Sequence, residues 1–177
     1  MNNTLLEGEP GIGKTTLLRT IADQITVRGI GGFYTQEIRE KGHRVGFRIE
    51  TFTGQSGILA HIDYTTGPRV RKYRVDVAAF EEIGVNGLKM ALIESNVILI
   101  DEIGKMELFS RPFWDIMLRC LDSVKPVIAT VMAYPHPFVD RLKARSDVQL
   151  VTVSLENRNK LALKLIHEIN GLFPGPG

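Results

Sequence analysis

Residues 8–15 read Gly8-Glu9-Pro10-Gly11-Ile12-Gly13-Lys14-Thr15, the full pattern G-x-x-x-x-G-K-[ST] of a phosphate-binding loop. The spacing carries its own chemistry. Glycines at 8, 11 and 13 let the backbone turn tightly, so that its N–H groups point inward at a phosphate chain. Lys14 can reach the β- and γ-phosphates as a mobile cation, and the Thr15 hydroxyl can ligate Mg²⁺. A second acidic element lies 86 residues on from Thr15, where Val97-Ile98-Leu99-Ile100 runs into Asp101-Glu102. A continuous apolar run of this length is the pattern of a strand buried on both faces of a parallel sheet. Open α/β sheets place ligand chemistry at the carboxyl ends of such strands. Asp101 is therefore expected to hold Mg²⁺ through water, as a Walker B aspartate, and Glu102 to polarise an attacking water beside the γ-phosphate.

The residues after the pair, Ile103-Gly104-Lys105-Met106-Glu107, extend the candidate site. Gly104 permits a turn, and Lys105 is either a second cation for the phosphates or a solvated surface lysine. Thr130, near the end of the apolar run Val127-Ile128-Ala129-Thr130-Val131, is either a sensor of the γ-phosphate or an ordinary β-branched strand residue.

These groups need a scaffold, and the chain alternates strand and helix patterns. Thr4 to Glu7 forms a short strand into the loop, and Leu17, Leu18, Ile21 and Ile25 follow helical spacing after it. The first helix is expected over Thr16 to Arg28, closed by Gly29. Gly32 to Arg39 and Val45 to Thr51 read as two strands joined at Lys41-Gly42-His43, with a further strand over Ile58 to Ile62. Asp76 caps a helix running to about Ser95, with Gly84 and Gly87 as weak points. Ser110-Arg111-Pro112 opens another helix, Gln149 to Val153 is a late strand, and the last helix spans Asn157 to Asn170. The expected fold is α/β: one P-loop domain over residues 1–171, a mainly parallel sheet flanked by helices with an added antiparallel hairpin, and an unstructured tail over 172–177.

Composition narrows the function classes. Apolar (44%) and charged (24%) fractions are those of a globular chain, and a net charge of +2 makes no general case for nucleic acid. The densest basic run, Arg69 to Arg74, is a solvated loop, a lid over phosphates or a nucleic-acid contact. Cys120, the single cysteine, lies among Ile116, Met117 and Leu121 and reads as a core thiol. It suits a reducing, cytoplasmic setting. No apolar stretch is long enough to span a membrane, and the N-terminus runs straight into the loop, leaving no place for a cleavable signal. His136, between two prolines, reads as a turn residue, and no zinc-type His/Cys cluster is present.

Several strings beyond the loop go together: Gly32-Phe33-Tyr34-Thr35 with Glu37-Ile38-Arg39, Gly46-Phe47-Arg48-Ile49, Ile100-Asp101-Glu102-Ile103-Gly104-Lys105-Met106-Glu107, His136-Pro137 and Glu156-Asn157-Arg158. On these, and nearly end to end, the chain resembles the small THEP-type, or cancer-related, nucleoside-triphosphatases. The resemblance implies a RecA-like P-loop fold and Mg²⁺-dependent hydrolysis of nucleoside triphosphates to diphosphates with broad base tolerance. It also implies nucleotide-binding stretches at Gly8 to Thr15 and at Leu99, Ile100, Asp101, Glu102, Ile103, Gly104, Lys105 and Met106. Two departures stand out: Glu7 before the loop, and Arg71 and Arg74 around Lys72-Tyr73, where small residues are expected.

Three readings follow from the residues themselves. A hydrolase is favoured by the Asp101-Glu102 pair. A nucleotide or small-molecule kinase would use Arg39, Arg44, Arg48 and the basic run Arg69 to Arg74 to clamp an acceptor, but must keep water from the γ-phosphate. A nucleotide-gated nucleic-acid module rests only on the basic run. A guanine-specific switch is disfavoured, because Asn159-Lys160-Leu161-Ala162 lacks the aspartate of N-K-x-D. Oligomeric state has no signature in the chain. For the cation that meets transition-state charge, Lys105 is the first candidate, with Arg158 and Arg39 behind it.

Overall fold

The structure, a computed structural model, describes residues 3–173. Nine strands form one sheet in the order β5-β6-β4-β3-β2-β7-β8-β1-β9. Its parallel half contains β1 (Asn3–Glu7), β7 (Val97–Ile103), β8 (Val127–Val131), β9 (Val148–Thr152) and the start of β2 (Ile30–Glu40). β7 and β8 are the apolar runs anticipated from sequence, and no residue from Val97 to Ile100 or from Val127 to Val131 is exposed.

β8 lies between β1 and β7, with Leu6 opposite Thr130 and Ile100 opposite Ala129. The phosphate loop and the acidic pair thus leave the same edge of the sheet from strands two places apart, with Thr130 between them. Side chains alternate along each strand, so Leu5 enters a core on one face and Leu6 a core on the other. The first core is centred on Phe33, Phe80 and Phe113, whose ring centroids are 5.2–6.1 Å apart. Cys120 belongs to it, and burial pushes its thiol up to about 12, as expected of an inert core thiol. The second core packs α1 (Lys14–Gln24) and α6 (Arg158–Leu172) against the parallel strands.

The other half of the sheet is antiparallel and larger than one added hairpin. β2 pairs β3 (His43–Thr51), β3 pairs β4 (Ser56–His61), β4 pairs β6 (Tyr73–Val75), and β6 pairs β5 (Arg69–Val70). The β2–β3 turn at Lys41-Gly42 has φ of 47° and 82°, the pair of positive values a type I′ hairpin turn requires.

Several boundaries differ from the sequence reading. α1 stops at Gln24 rather than Arg28, because Ile25 is extended and the Thr26 N–H is taken by Asn170 Oδ1 at 2.9 Å. The helix capped by Asp76, whose side chain accepts from Ala79 N, is not regular. It runs as α2 (Val77–Phe80), a π-helical stretch (Glu81–Val85) and α3 (Asn86–Glu94), and the irregularity contains Gly84. A short helix, α5 (Pro137–Lys143), was not foreseen, and His136 is its N-cap through Nδ1 to Phe138 N at 3.2 Å. α4 (Arg111–Asp122) starts as expected, with Ser110 Oγ accepting from Phe113 N. The last helix reaches Leu172, one residue into the segment read as tail; Pro174 to Gly177 lie outside the described residues. Among the described residues no helix is long and apolar enough to cross a membrane.

Candidate active site

The loop after β1 opens directly onto α1. Gly13 is the N-cap of this helix at φ 102°, a left-handed conformation that suits glycine. No side chain caps the helix and its first turn holds no acidic residue, so its N–H groups and positive dipole end remain available to an anion. Lys14 is buried and folded onto its own loop. Its Nζ donates to Gly8 O at 2.8 Å and to Glu9 O at 3.4 Å, and lies 3.9 Å from Glu102 Oε2.

Asp101 is 1% exposed near the end of β7. Its Oδ1 accepts from Thr130 Oγ1 at 2.5 Å, while Oδ2 is buried with no hydrogen-bond partner. Burial raises the Asp101 carboxyl; the Thr130 and Thr15 hydroxyls and the Lys14 ammonium pull it back. An unpaired buried carboxylate oxygen is costly, and beside the Thr15 hydroxyl it makes a donor set of hard oxygens suited to a hard divalent cation. No cluster of three or more His, Cys, Asp or Glu that could hold a metal exists among the described residues, so phosphate and water would complete such a coordination shell. Thr130, read as a sensor or a plain strand residue, spends its hydroxyl on orienting Asp101.

Glu102 is raised by burial and by Asp101, against the pull of Lys14. Glu107, read without a role, is 5% exposed and lines the same cleft. Burial and the neighbouring Glu102 push it up to about 8, and its Oε2 accepts from Gly104 N at 3.2 Å. A Cβ on Gly104 would lie 2.8 Å from Glu102 Oε1 and 3.1 Å from Glu107 Oε2, so the close approach of these carboxyls needs glycine there. The sequence placed Glu107 in the segment that extends the site without a task; its burial comes from the short turn Glu107–Phe109.

The cleft has a volume of about 780 Å³. It brings together Gly8, Pro10, Gly11, Gly13, Lys14 and Thr15 with Asp101, Glu102, Lys105 and Met106. Glu9 and Ile12 belong to the loop without lining the cleft, and Leu99, Ile100 and Ile103 are buried in the strand behind it. The far wall includes Gln36, Phe47 and Leu59 from the antiparallel strands and Arg71 from the β5–β6 turn, the last in keeping with the lid among the three readings of the basic run. Lys105 lies at this cleft with Nζ 4.7 Å from the centre of the Tyr134 ring. The other two candidate cations do not line the cleft. Arg158 donates to Ile12 O at 3.1 Å and borders a separate cavity of about 440 Å³ between α1 and α6. Arg39 is held by Glu37 and Gly42 O at the β2–β3 hairpin. Glu7 points to structure rather than nucleotide, accepting from Lys143 Nζ at 2.9 Å and Thr152 Oγ1 at 3.3 Å.

A family model described as NTPase matches residues 3–166. The nucleoside-triphosphatase THEP1 of Thermofilum pendens is 45% identical over 176 residues, covering 96% of each chain. The crystal structure of THEP1 from Aquifex aeolicus superposes with a TM-score of 0.85 at 34% identity, over 94% of this chain and 98% of that one. The solution structure of a human cancer-related nucleoside triphosphatase gives 0.78 at 32% identity, over 97% and 98%.

Proposed function

The chain belongs to the NTPase family, and from that premise we propose Mg²⁺-dependent hydrolysis of nucleoside 5′-triphosphates, with broad base tolerance, to the diphosphate and phosphate. One observation carries this reading: an acidic pair, Asp101 buried and Glu102 half-buried, faces the phosphate loop, with Glu102 Oε2 3.9 Å from Lys14 Nζ. The β- and γ-phosphates lie along the loop from Gly8 to Thr15, cradled by its N–H groups and the open end of α1. Lys14 exchanges the Gly8 and Glu9 carbonyls for phosphate oxygens. Thr15 and, through water, Asp101 would hold Mg²⁺, which would supply neutralisation of charge on the phosphates. Glu102 takes a proton from the attacking water, and its raised carboxyl is the stronger base for that task. Lys105 supplies a second cation at the cleft.

The test is phosphate release from ATP, GTP, CTP and UTP, each with Mg²⁺ and with chelator. Release from all four that stops on chelation is the expected result; no release from nucleotide alone ends the reading. A small-molecule kinase is the second reading. The extent of the cleft beyond the phosphate loop, to Phe47 and Leu59, favours it, and it requires release or transfer only when an acceptor is added.

A further inference from the structure

The basic run Arg69 to Arg74 is a hairpin at the sheet edge, with Arg71 and Lys72 forming the turn between β5 and β6. Three of its four cations are engaged within the hairpin and its approach. Arg69 Nε donates to Arg71 O at 2.7 Å, Arg74 Nη1 donates to Gly67 O at 2.9 Å, and Lys72 Nζ lies 5.4 Å from the centre of the Tyr73 ring. The Arg71 side chain, among the described residues, makes no hydrogen bond, ion pair or ring contact, and it lines the cleft that holds Lys14, Asp101 and Glu102. The other cations of that cleft all have company. Lys14 rests on loop carbonyls, Arg19 lies over the Tyr34 ring at 5.2 Å, and Lys105 lies over Tyr134. Arg71 also has φ 55°, in the left-handed region that glycine enters freely and long side chains rarely do. The turn is therefore strained around an arginine whose guanidinium has no structural task.

We propose that Arg71 is a further catalytic residue, contacting the γ-phosphate oxygens from the β5–β6 hairpin in the transition state. The proposal rests on the hydrolysis reading above. In that step the water oxygen bonds to the γ-phosphorus and the bridging P–O bond breaks. Its electron pair leaves with the diphosphate, and the water proton passes to Glu102. Arg71 gives up no proton; its planar fork meets the charge spread over the three equatorial oxygens.

The test compares Arg71→Gly, Arg71→Lys and Lys72→Ala with the parent. Arg71→Gly suits the backbone, so its melting temperature should be unchanged or higher, which separates chemistry from folding. The expected result is a kcat lower by about 10²-fold or more with KM within about threefold of the parent. Arg71→Lys should recover part of the loss, and Lys72→Ala should stay within about twofold, being an equal charge turned elsewhere. Affinity for ADP with aluminium fluoride, a mimic of the transferring group, should fall in Arg71→Gly while affinity for ADP alone holds. The proposal is overturned if Arg71→Gly keeps its kcat, if Lys72→Ala loses as much, or if both ligands weaken equally. A parent that releases no phosphate from any nucleotide instead removes the hydrolysis reading, and Arg71's role with it.

Discussion

Replacing Lys14 by alanine removes the only ammonium that touches the loop carbonyls, at 2.8 Å from Gly8 O, among the described residues. Nucleotide binding should weaken and turnover fall by roughly 10²–10³-fold, the cost of losing a preorganised cation; Kd and kcat measured on one preparation check both. The acidic pair separates differently. Asp101→Ala should raise the metal concentration needed for turnover, because the buried, unpartnered Oδ2 is lost. Glu102→Gln keeps the shape and removes the base, so nucleotide should still bind while kcat drops about 10²–10⁴-fold. The pH profile adds a sign. Glu102 accepts a proton only when ionised and its carboxyl is raised by burial, so kcat/KM should climb with pH through a limb above the ordinary carboxylate range. A Glu102→Gln variant that keeps full activity and the same limb would assign water activation to another group.

At the scale of elements, the candidate site depends on segments that do not line the cleft. α4 begins where Ser110 Oγ accepts from Phe113 N at 3.1 Å and donates to Glu81 Oε1 at 2.7 Å. This one hydroxyl caps α4 and ties it to the π-helical stretch between α2 and α3. Ser110→Ala should cost about 1–2 kcal/mol of unfolding free energy, the range for a lost cap, read from denaturant midpoints. Turnover per folded molecule should hardly change. A loss below about 0.3 kcal/mol would mean that solvent replaces the cap, contrary to its 1% exposure.

For the whole molecule, the buried Glu107 couples folding to pH. Its carboxyl moves from about 4.5 in the unfolded chain to about 8 in the native state. Between those values the native state binds the extra proton, so unfolding free energy contributed by this group is fully present below about 4.5 and is lost as pH rises through about 8. Nucleotide-free protein should accordingly melt at lower temperature as pH rises across that window. Glu107→Gln, a neutral isostere, should flatten this part of the curve. Parallel melting curves for parent and variant from pH 5 to 9 would count against the buried proton.

Much of the candidate site was legible in the chain because its constraints are local. A loop of eight consecutive residues must cradle phosphate by its own backbone, and Gly8 to Thr15 announce it by type and spacing. The run Val97 to Ile100 ending in Asp101 is likewise self-describing, since a strand buried on both faces has nowhere to place polar groups except its end. The same locality explains the Ser110 and Asp76 caps. What the tertiary structure alone decided is every relation between distant segments. β8 between β1 and β7 turned Thr130 from a candidate sensor into the partner of Asp101. The fold of the Glu107 turn buried a residue to which the sequence assigned no task. Arg39 and Arg158, plausible by charge, were directed to a hairpin and to the Ile12 carbonyl, while Arg71 came to the cleft from the far edge of the sheet. Charge and type are properties of one residue, but which face another through a cleft depends on strand order, and strand order is set by packing across the whole sheet.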